Sequence, residues 1–269
     1  MTTRRFVRSR TSSLTKLTVT CTHCGLRDLC FPPGMPEADL LRLERLITKR
    51  LSVPQGAHLY SVGEPFKAIY AVRTGLLKTS TSLENGREHV SGFHMAGELL
   101  GFEGIGFGVH TRDAVALEDS KVCVMPYGEL EVLAREFPRL QRHLHRLMGR
   151  EIVRNHGVML LLSSMRSEVR VAAFVLNLSQ RLESRGFSGA QLLLRMTREE
   201  IGTYLGLTTE TVSRALSRFD ALGMLKVRGR DVEVLDQPAL ERLVQAVSIP
   251  ASAGGDVPEA PRWESCSAP

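Results

Sequence analysis

Met196-Thr197-Arg198-Glu199-Glu200-Ile201-Gly202-Thr203-Tyr204-Leu205-Gly206-Leu207-Thr208-Thr209-Glu210-Thr211-Val212-Ser213-Arg214-Ala215-Leu216 is the stretch that decides the fold. Thr197 followed three residues later by Glu200 is a capping box, so a helix should start there. Ile201 and Leu205 fall on one face of it. Gly206 can take the left-handed conformation that ends a helix, and Thr208 can cap the next one. In that second helix Val212, Leu216 and Phe219 form the inner stripe. Thr209, Glu210, Ser213 and Arg214 are left on the outward face near its N-terminus. Two short helices joined by a Gly-containing turn are a helix-turn-helix, whose second helix enters the major groove N-terminus first.

The outward face suits base edges. Arg can donate two bonds to guanine, Glu can accept from the cytosine amine, and Ser can bond a base or a phosphate. Residues 223–234 predict a hairpin with a basic tip, a wing. Residues 195–230 hold seven Arg or Lys (195, 198, 214, 218, 226, 228, 230) against four acids (199, 200, 210, 220), which suits phosphate contact. The alternative is a helical hairpin with ordinary solvated charges. The ordered cap, turn and cap weigh against it, and double-stranded DNA is the partner they imply.

Upstream, residues 51–126 change character. Glycines at 56, 63, 75, 86, 97 and 101 separate short apolar runs, and Asn85-Gly86 between two of them is a hairpin signal. The reading is a small antiparallel roll. From Tyr127 the helical pattern resumes and runs to about Ser163, with Pro138 early in it. Within it Met148, Ile152, Asn155, Met159 and Leu162 step by 4, 3, 4 and 3, the spacing of a coiled-coil seam, which predicts a homodimer. An amphipathic helix packed on its own domain is the competing reading. A second stripe (Leu140, Leu144, Leu147, Leu161) can serve that purpose on another face. Asn155 is polar within the seam, where such residues weaken association but fix register.

The expected organisation is therefore α+β. An arm and Cys-bearing loop (1–34) precede an antiparallel β-roll sensor domain (35–135), a dimerisation helix (136–165), a winged helix-turn-helix (166–247) and a disordered tail (248–269). The 269 residues carry a net charge of +6, which permits nucleic-acid binding without proving it. No apolar run reaches the roughly 18–20 residues of a membrane span. The basic, Ser/Thr-rich N-terminus lacks the apolar segment of a secretory signal, so a cytoplasmic location is expected. Of five cysteines, Cys21, Cys24 and Cys30 crowd together, Cys123 stands alone in mid-chain, and Cys266 lies in the tail. Metal ligation is the better reading of such a set than a disulfide framework. Four thiolates suit an iron–sulfur cluster or a structural zinc about equally.

The order of parts resembles the cAMP-receptor-protein superfamily of bacterial regulators, and within it the fumarate-and-nitrate-reduction regulator family. The carriers are Cys21-Thr22-His23-Cys24-(x5)-Cys30 with Cys123, the run from Gly92 to Gly101, and Glu210-Thr211-Val212-Ser213-Arg214. The resemblance implies that Cys21, Cys24, Cys30 and Cys123 bind an oxygen-labile [4Fe-4S] cluster. It also implies a dimer that reads TTGAT-type half-sites and activates or represses transcription, touching RNA polymerase through Thr74-Gly75 and the loop from Glu84 to Arg87. Cyclic-nucleotide-binding relatives use a Gly-Glu-Leu segment and an Arg-Ser pair. Gly97-Glu98-Leu99 is present, but Arg112 is followed by Asp113, whose carboxylate repels a phosphate. Two rival readings are a regulator of this fold gated by a small molecule, with a structural metal, and an iron–sulfur redox enzyme. No substrate-site constellation supports the latter beyond a possible His94–Glu98 acid–base pair, and no enzymatic activity is expected.

Overall fold

The computed structural model describes Cys24, Leu26 and residues 30–32, 35–47, 49–82 and 86–245. The N-terminal arm, Cys21, Glu84, Asn85 and the tail lie outside the described residues.

Helix α1 (Glu37–Leu46) leads into a roll of two facing four-stranded sheets. One has the order β1-β8-β3-β6, with β1 Lys49–Val53, β3 Ala68–Thr74, β6 Leu99–Leu100 and β8 Ser120–Pro126. The other has the order β2-β7-β4-β5, with β2 His58–Tyr60, β4 Leu76–Ser82, β5 Glu88–Met95 and β7 Asp113–Ala116. Val53, Tyr60, Val72, Leu77, Leu100, Ala114 and Val122 fill the space between them. At the β3–β4 turn Gly75 has φ +93°, and a Cβ there would collide with Ser120, so the turn requires glycine. The β4–β5 hairpin is present, with Gly86 at φ +76°. A single turn of helix, α2 (Gly104–Phe107), follows β6.

The helix expected from Tyr127 to Ser163 is two helices, α3 (Tyr127–Glu136) and α4 (Pro138–Ser164). Phe137 between them is extended at φ −117°, ψ 92°. Proline sterically disfavours the helical conformation of the residue before it, so Pro138 starts a helix rather than sitting inside one. On α4, Leu140 is buried, and Leu144 and Leu147 pack on the core that Leu40, Leu43, Ile69, Met125 and Leu130 build between α1, α3 and the first sheet. The inward stripe is thus present at these three positions; the side chain of Leu161 lies outside those described.

The C-terminal unit, the head, comprises α5 (Ser167–Glu183), β9 (Gln191–Leu193), α6 (Arg198–Leu205), α7 (Thr209–Ala221), the hairpin β10 (Leu225–Arg228) and β11 (Asp231–Val234), and α8 (Gln237–Gln245). The expected two-stranded wing gains β9 as a third strand, giving the order β10-β11-β9 with Leu192 opposite Val232. Three residues are too few for alternation to reveal a strand. The head's core continues into the roll through Leu76, Val90 and Phe93. Among the described residues no helix is long and apolar enough to cross a membrane.

Candidate nucleic-acid interface and cysteine patch

Local sequence builds the helix-turn-helix by satisfying the backbone groups that each helix end leaves open. Thr197 Oγ1 accepts from Glu200 N at 3.1 Å, and Glu200 Oε2 accepts from Thr197 N at 2.7 Å. Gly206 ends α6 in the left-handed region at φ +63°. Thr208 Oγ1 then accepts from Thr211 N at 3.2 Å and caps α7. Val212, Ala215, Leu216 and Phe219 are buried against α6 and α5, which turns the opposite face of α7 outward. Thr209, Glu210, Ser213 and Arg214 are all exposed there. Arg214 pairs with Glu210 along the helix, and Ser213 Oγ donates to Thr209 O at 2.9 Å. At the wing, Arg198 Nη2 donates to Gly229 O at 2.8 Å, tying α6 to the hairpin tip. Lys226, Arg228 and Arg230 are exposed on that hairpin. The result is a protruding helix with hydrogen-bonding side chains beside a cationic wing, the chemistry of a groove and phosphate reader.

The seam residues of α4 divide. Ile152 and Met159 are 56% and 64% exposed, and Val153 and Leu160 beside them are exposed as well. Met148, Asn155 and Leu162 are half-buried. Met148, Ile152 and Asn155 also border a cavity of about 250 Å³ between α4 and the roll, shared with Thr79, His94 and Arg112.

Cys24, Cys30 and Cys123 are half-buried. Cys123 lies on β8, opposite Arg50 of β1 and Ala71 of β3. Cys30 and Cys123 pack against the same apolar core, the one that also receives Leu140, Leu144 and Leu147 of α4. Burial pushes the Cys123 thiol up, Arg50 and Arg73 pull it down, and Cys24 is close enough to act on it. Among the described residues no group of three or more His, Cys, Asp or Glu side chains is arranged to hold a metal ion.

The Gly-Glu-Leu glutamate does not line the 250 Å³ cavity. Glu98 turns toward the head, where it pairs with Arg181 and Arg185 at 2.7 and 2.6 Å, and Arg154 of α4 joins it at 3.2 Å. Burial alone raises a carboxyl, but Arg181 and Arg154 outweigh it and hold Glu98 at about 2. His94 is buried, and burial together with Arg154 holds it well below the ordinary histidine value. Its Nδ1 faces Arg154 Nη2 at 3.4 Å and its Nε2 faces Thr79 Oγ1 at 3.1 Å. Of the two side chains considered as an acid–base pair, Glu98 is thus engaged in joining the roll to the head, and His94 lies buried between Thr79 of the roll and Arg154 of α4. Sequence reasoning missed Lys78, Arg154, Arg170, Arg181 and Arg185 as contributors to this region. Their contacts across the joint, Arg154, Arg181 and Arg185 with Glu98, Lys78 with Glu200 and Arg170 with Leu205, join residues far apart in the chain, and no local pattern announces such pairs.

Comparison with known proteins agrees with this geometry. The Crp-like helix-turn-helix domain model matches residues 169–243, and the cyclic nucleotide-binding domain model matches residues 50–137. The chain is 44% identical over 224 residues to the transcriptional regulatory protein btr of Bordetella pertussis, covering 83% of this chain and 93% of that one. It is 42% identical over 223 residues to the fumarate and nitrate reduction regulatory protein of Escherichia coli, covering 83% and 89%. The solved structure of FixK2 from Bradyrhizobium japonicum superposes with a TM-score of 0.67 at 32% identity, covering 72% and 96%. A roll, a long helix and a winged helix-turn-helix in one chain define a DNA-binding transcription regulator of the cAMP-receptor-protein superfamily. Within that superfamily the chain belongs to the fumarate-and-nitrate-reduction regulator family. These relatives are transcription regulators, not enzymes.

Proposed function

We propose that this protein is an oxygen-responsive transcription regulator that holds a [4Fe-4S] cluster through Cys21, Cys24, Cys30 and Cys123. In this reading it works in the cytoplasm as a homodimer joined through Met148, Ile152, Asn155, Met159 and Leu162. It reads palindromic TTGAT-type half-sites with Thr209, Glu210, Ser213 and Arg214, and meets RNA polymerase through the Thr74 and Glu84–Arg87 loops. The observation that carries the reading is the shared core under Cys30, Cys123 and the inward stripe of α4. The donor set fits in kind: thiolates are the ligands such clusters take, and although burial keeps the Cys123 thiol above its ordinary value, the guanidiniums of Arg50 and Arg73 oppose that rise.

When bound, the cluster supplies an oxygen-labile link between the cysteine loop and β8. The chain's own residues do the rest. A loop held on β8 presses Phe31 and Met35 into the core that seats Leu140, Leu144 and Leu147, which favours one placement of α4. That placement presents Ile152 and Met159 to a second copy, and two α7 helices then face successive major grooves. A bias of a few kcal/mol between monomer and dimer is enough to switch occupancy. Gating by a cyclic nucleotide is the weaker reading, because Glu98 is committed to three arginines and Asp113 Oδ1 accepts from Val62 N at 3.0 Å.

Anaerobic purification with iron and sulfide analysis tests the proposal. About four iron and about four sulfide per chain, with visible absorption that bleaches in air, are expected. Zinc, or no metal, would remove the oxygen-sensing reading and leave DNA binding in place.

A further inference from the structure

The head is fastened to its own roll by more than the α4–α5 link. The centre of the joint is aromatic: Phe93 of β5 meets Tyr204 of α6 at 5.2 Å and Phe174 of α5 at 6.0 Å, both edge-on. Such apolar contacts hold the two bodies together but tolerate sliding. Ionic groups on either side are directional. On one side Arg181 grips Glu98 as a fork, Nε to Oε1 at 3.0 Å and Nη2 to Oε2 at 2.7 Å. Arg185 Nη2 reaches the same carboxylate at 2.6 Å while its Nε donates to Ala96 O at 2.6 Å. Arg154 brings α4 to that carboxylate as well. On the other side buried Lys78 of β4 bridges Glu88 at 2.6 Å and Glu200 at 2.8 Å. Glu200 is the capping-box residue of α6, so this bridge holds the first helix of the reading unit itself. Arg170 closes the frame, donating to Leu162 O at 2.7 Å, Met165 O at 2.9 Å and Leu205 O at 3.1 Å.

We infer that Glu98 and Lys78 are positioning residues for DNA reading, which touch no base yet set the spacing between half-sites that the protein accepts. The inference rests on the dimeric reading proposed above. In a symmetric dimer the separation of the two α7 helices follows from the angle of each head on its roll and on α4. A base-pair step is about 3.4 Å, so a small rotation of each head moves its recognition helix out of register with its half-site. Forked and bridged ion pairs are what limit that rotation here.

The test uses the full chain, purified anaerobically, and duplexes carrying two TTGAT half-sites whose separation is changed by single base pairs. Fluorescence anisotropy of the wild type should show one preferred spacing. Glu98→Gln should weaken binding at that spacing about tenfold and flatten the profile to within about threefold, and Lys78→Gln should flatten it too. Glu98→Asp keeps the carboxylate and should retain the preference. An unchanged profile in both Gln variants overturns the inference. Amide hydrogen exchange decides the same point without DNA. Glu98→Gln should speed exchange in β5 and α6 about tenfold while Val212–Phe219 stay protected, and unchanged exchange overturns the inference. If the wild type binds none of the duplexes, the dimeric reading fails, and the exchange experiment still judges the joint.

Discussion

At the scale of single residues, charge decides most. Arg214 and Glu210 pair along an exposed helix face, where such a pair contributes little and is readily exchanged for contacts to bases. Arg214→Ala should therefore cost about 1–3 kcal/mol of DNA affinity and relax discrimination at one base position, as read by anisotropy on a set of single-base variants. Lys226 is exposed on the wing, and in the proposed reading it contacts a phosphate. Lys226→Ala should weaken binding evenly across sequences and reduce the salt dependence by about one counterion. Glu98 behaves oppositely to these surface groups. Its carboxyl is held at about 2, below its ordinary value of 4.5, so the stability it adds is present above 4.5 and lost as pH falls through 2. That amounts to on the order of 3 kcal/mol at about 1.4 kcal/mol per pK unit. Urea unfolding at neutral pH and near the acid limit should show a shallower acid loss in Glu98→Gln than in the wild type.

At the scale of elements, the reading unit depends on close backbone approach. A Cβ at Gly202 would stand 2.7 Å from the backbone oxygen of Leu207, in the turn that Leu207 N closes on Gly202 O at 2.8 Å. Gly202→Ala should therefore push the two helices apart at a cost of about 1–3 kcal/mol, visible as a lower melting temperature of the head and weaker DNA binding. The α6 and α7 boundaries were legible in the sequence because cap, turn and cap are local devices: Thr197, Glu200, Gly206 and Thr208 each act within a few residues. The break at Phe137 was locally encoded as well, in Pro138, but the strong apolar periodicity on either side concealed it. Strand β9 was not legible, since Gln191–Leu193 becomes a strand only because β11 lies beside it.

At the scale of the whole molecule, α4 presents apolar residues on two faces. Leu140, Leu144 and Leu147 join the core that carries Cys30 and Cys123, while Ile152 and Met159 stand in solvent. An apolar exposed face on a helix that also seats the cysteine patch is the arrangement a ligand-biased dimer needs. Asn155 sits half-buried between these faces without a charge. Asn155→Asp places like charges across the proposed seam and should weaken dimerisation of the cluster-free protein about tenfold, measured by sedimentation equilibrium. A cluster-free wild type that is wholly monomeric at high micromolar concentration would remove the expectation that neutral Asn155 favours association.

Sequence by itself determined the elements whose cause is local: the capped helices of the reading unit, the glycine-punctuated roll, the periodic faces of α4, and the closely spaced cysteines. Periodicity and capping act within a few residues, so a linear reading reaches them. Tertiary structure alone decided how these parts are joined. It brought Cys30 and Cys123 onto one core, turned Glu98 from the roll's cavity to the head's arginines, and set Lys78 against the cap of α6. Those pairings span long separations in the chain and draw on burial, which strengthens a charge pair only once folding has excluded water around it. Such energies belong to the packed molecule, and no local pattern of residues carries them.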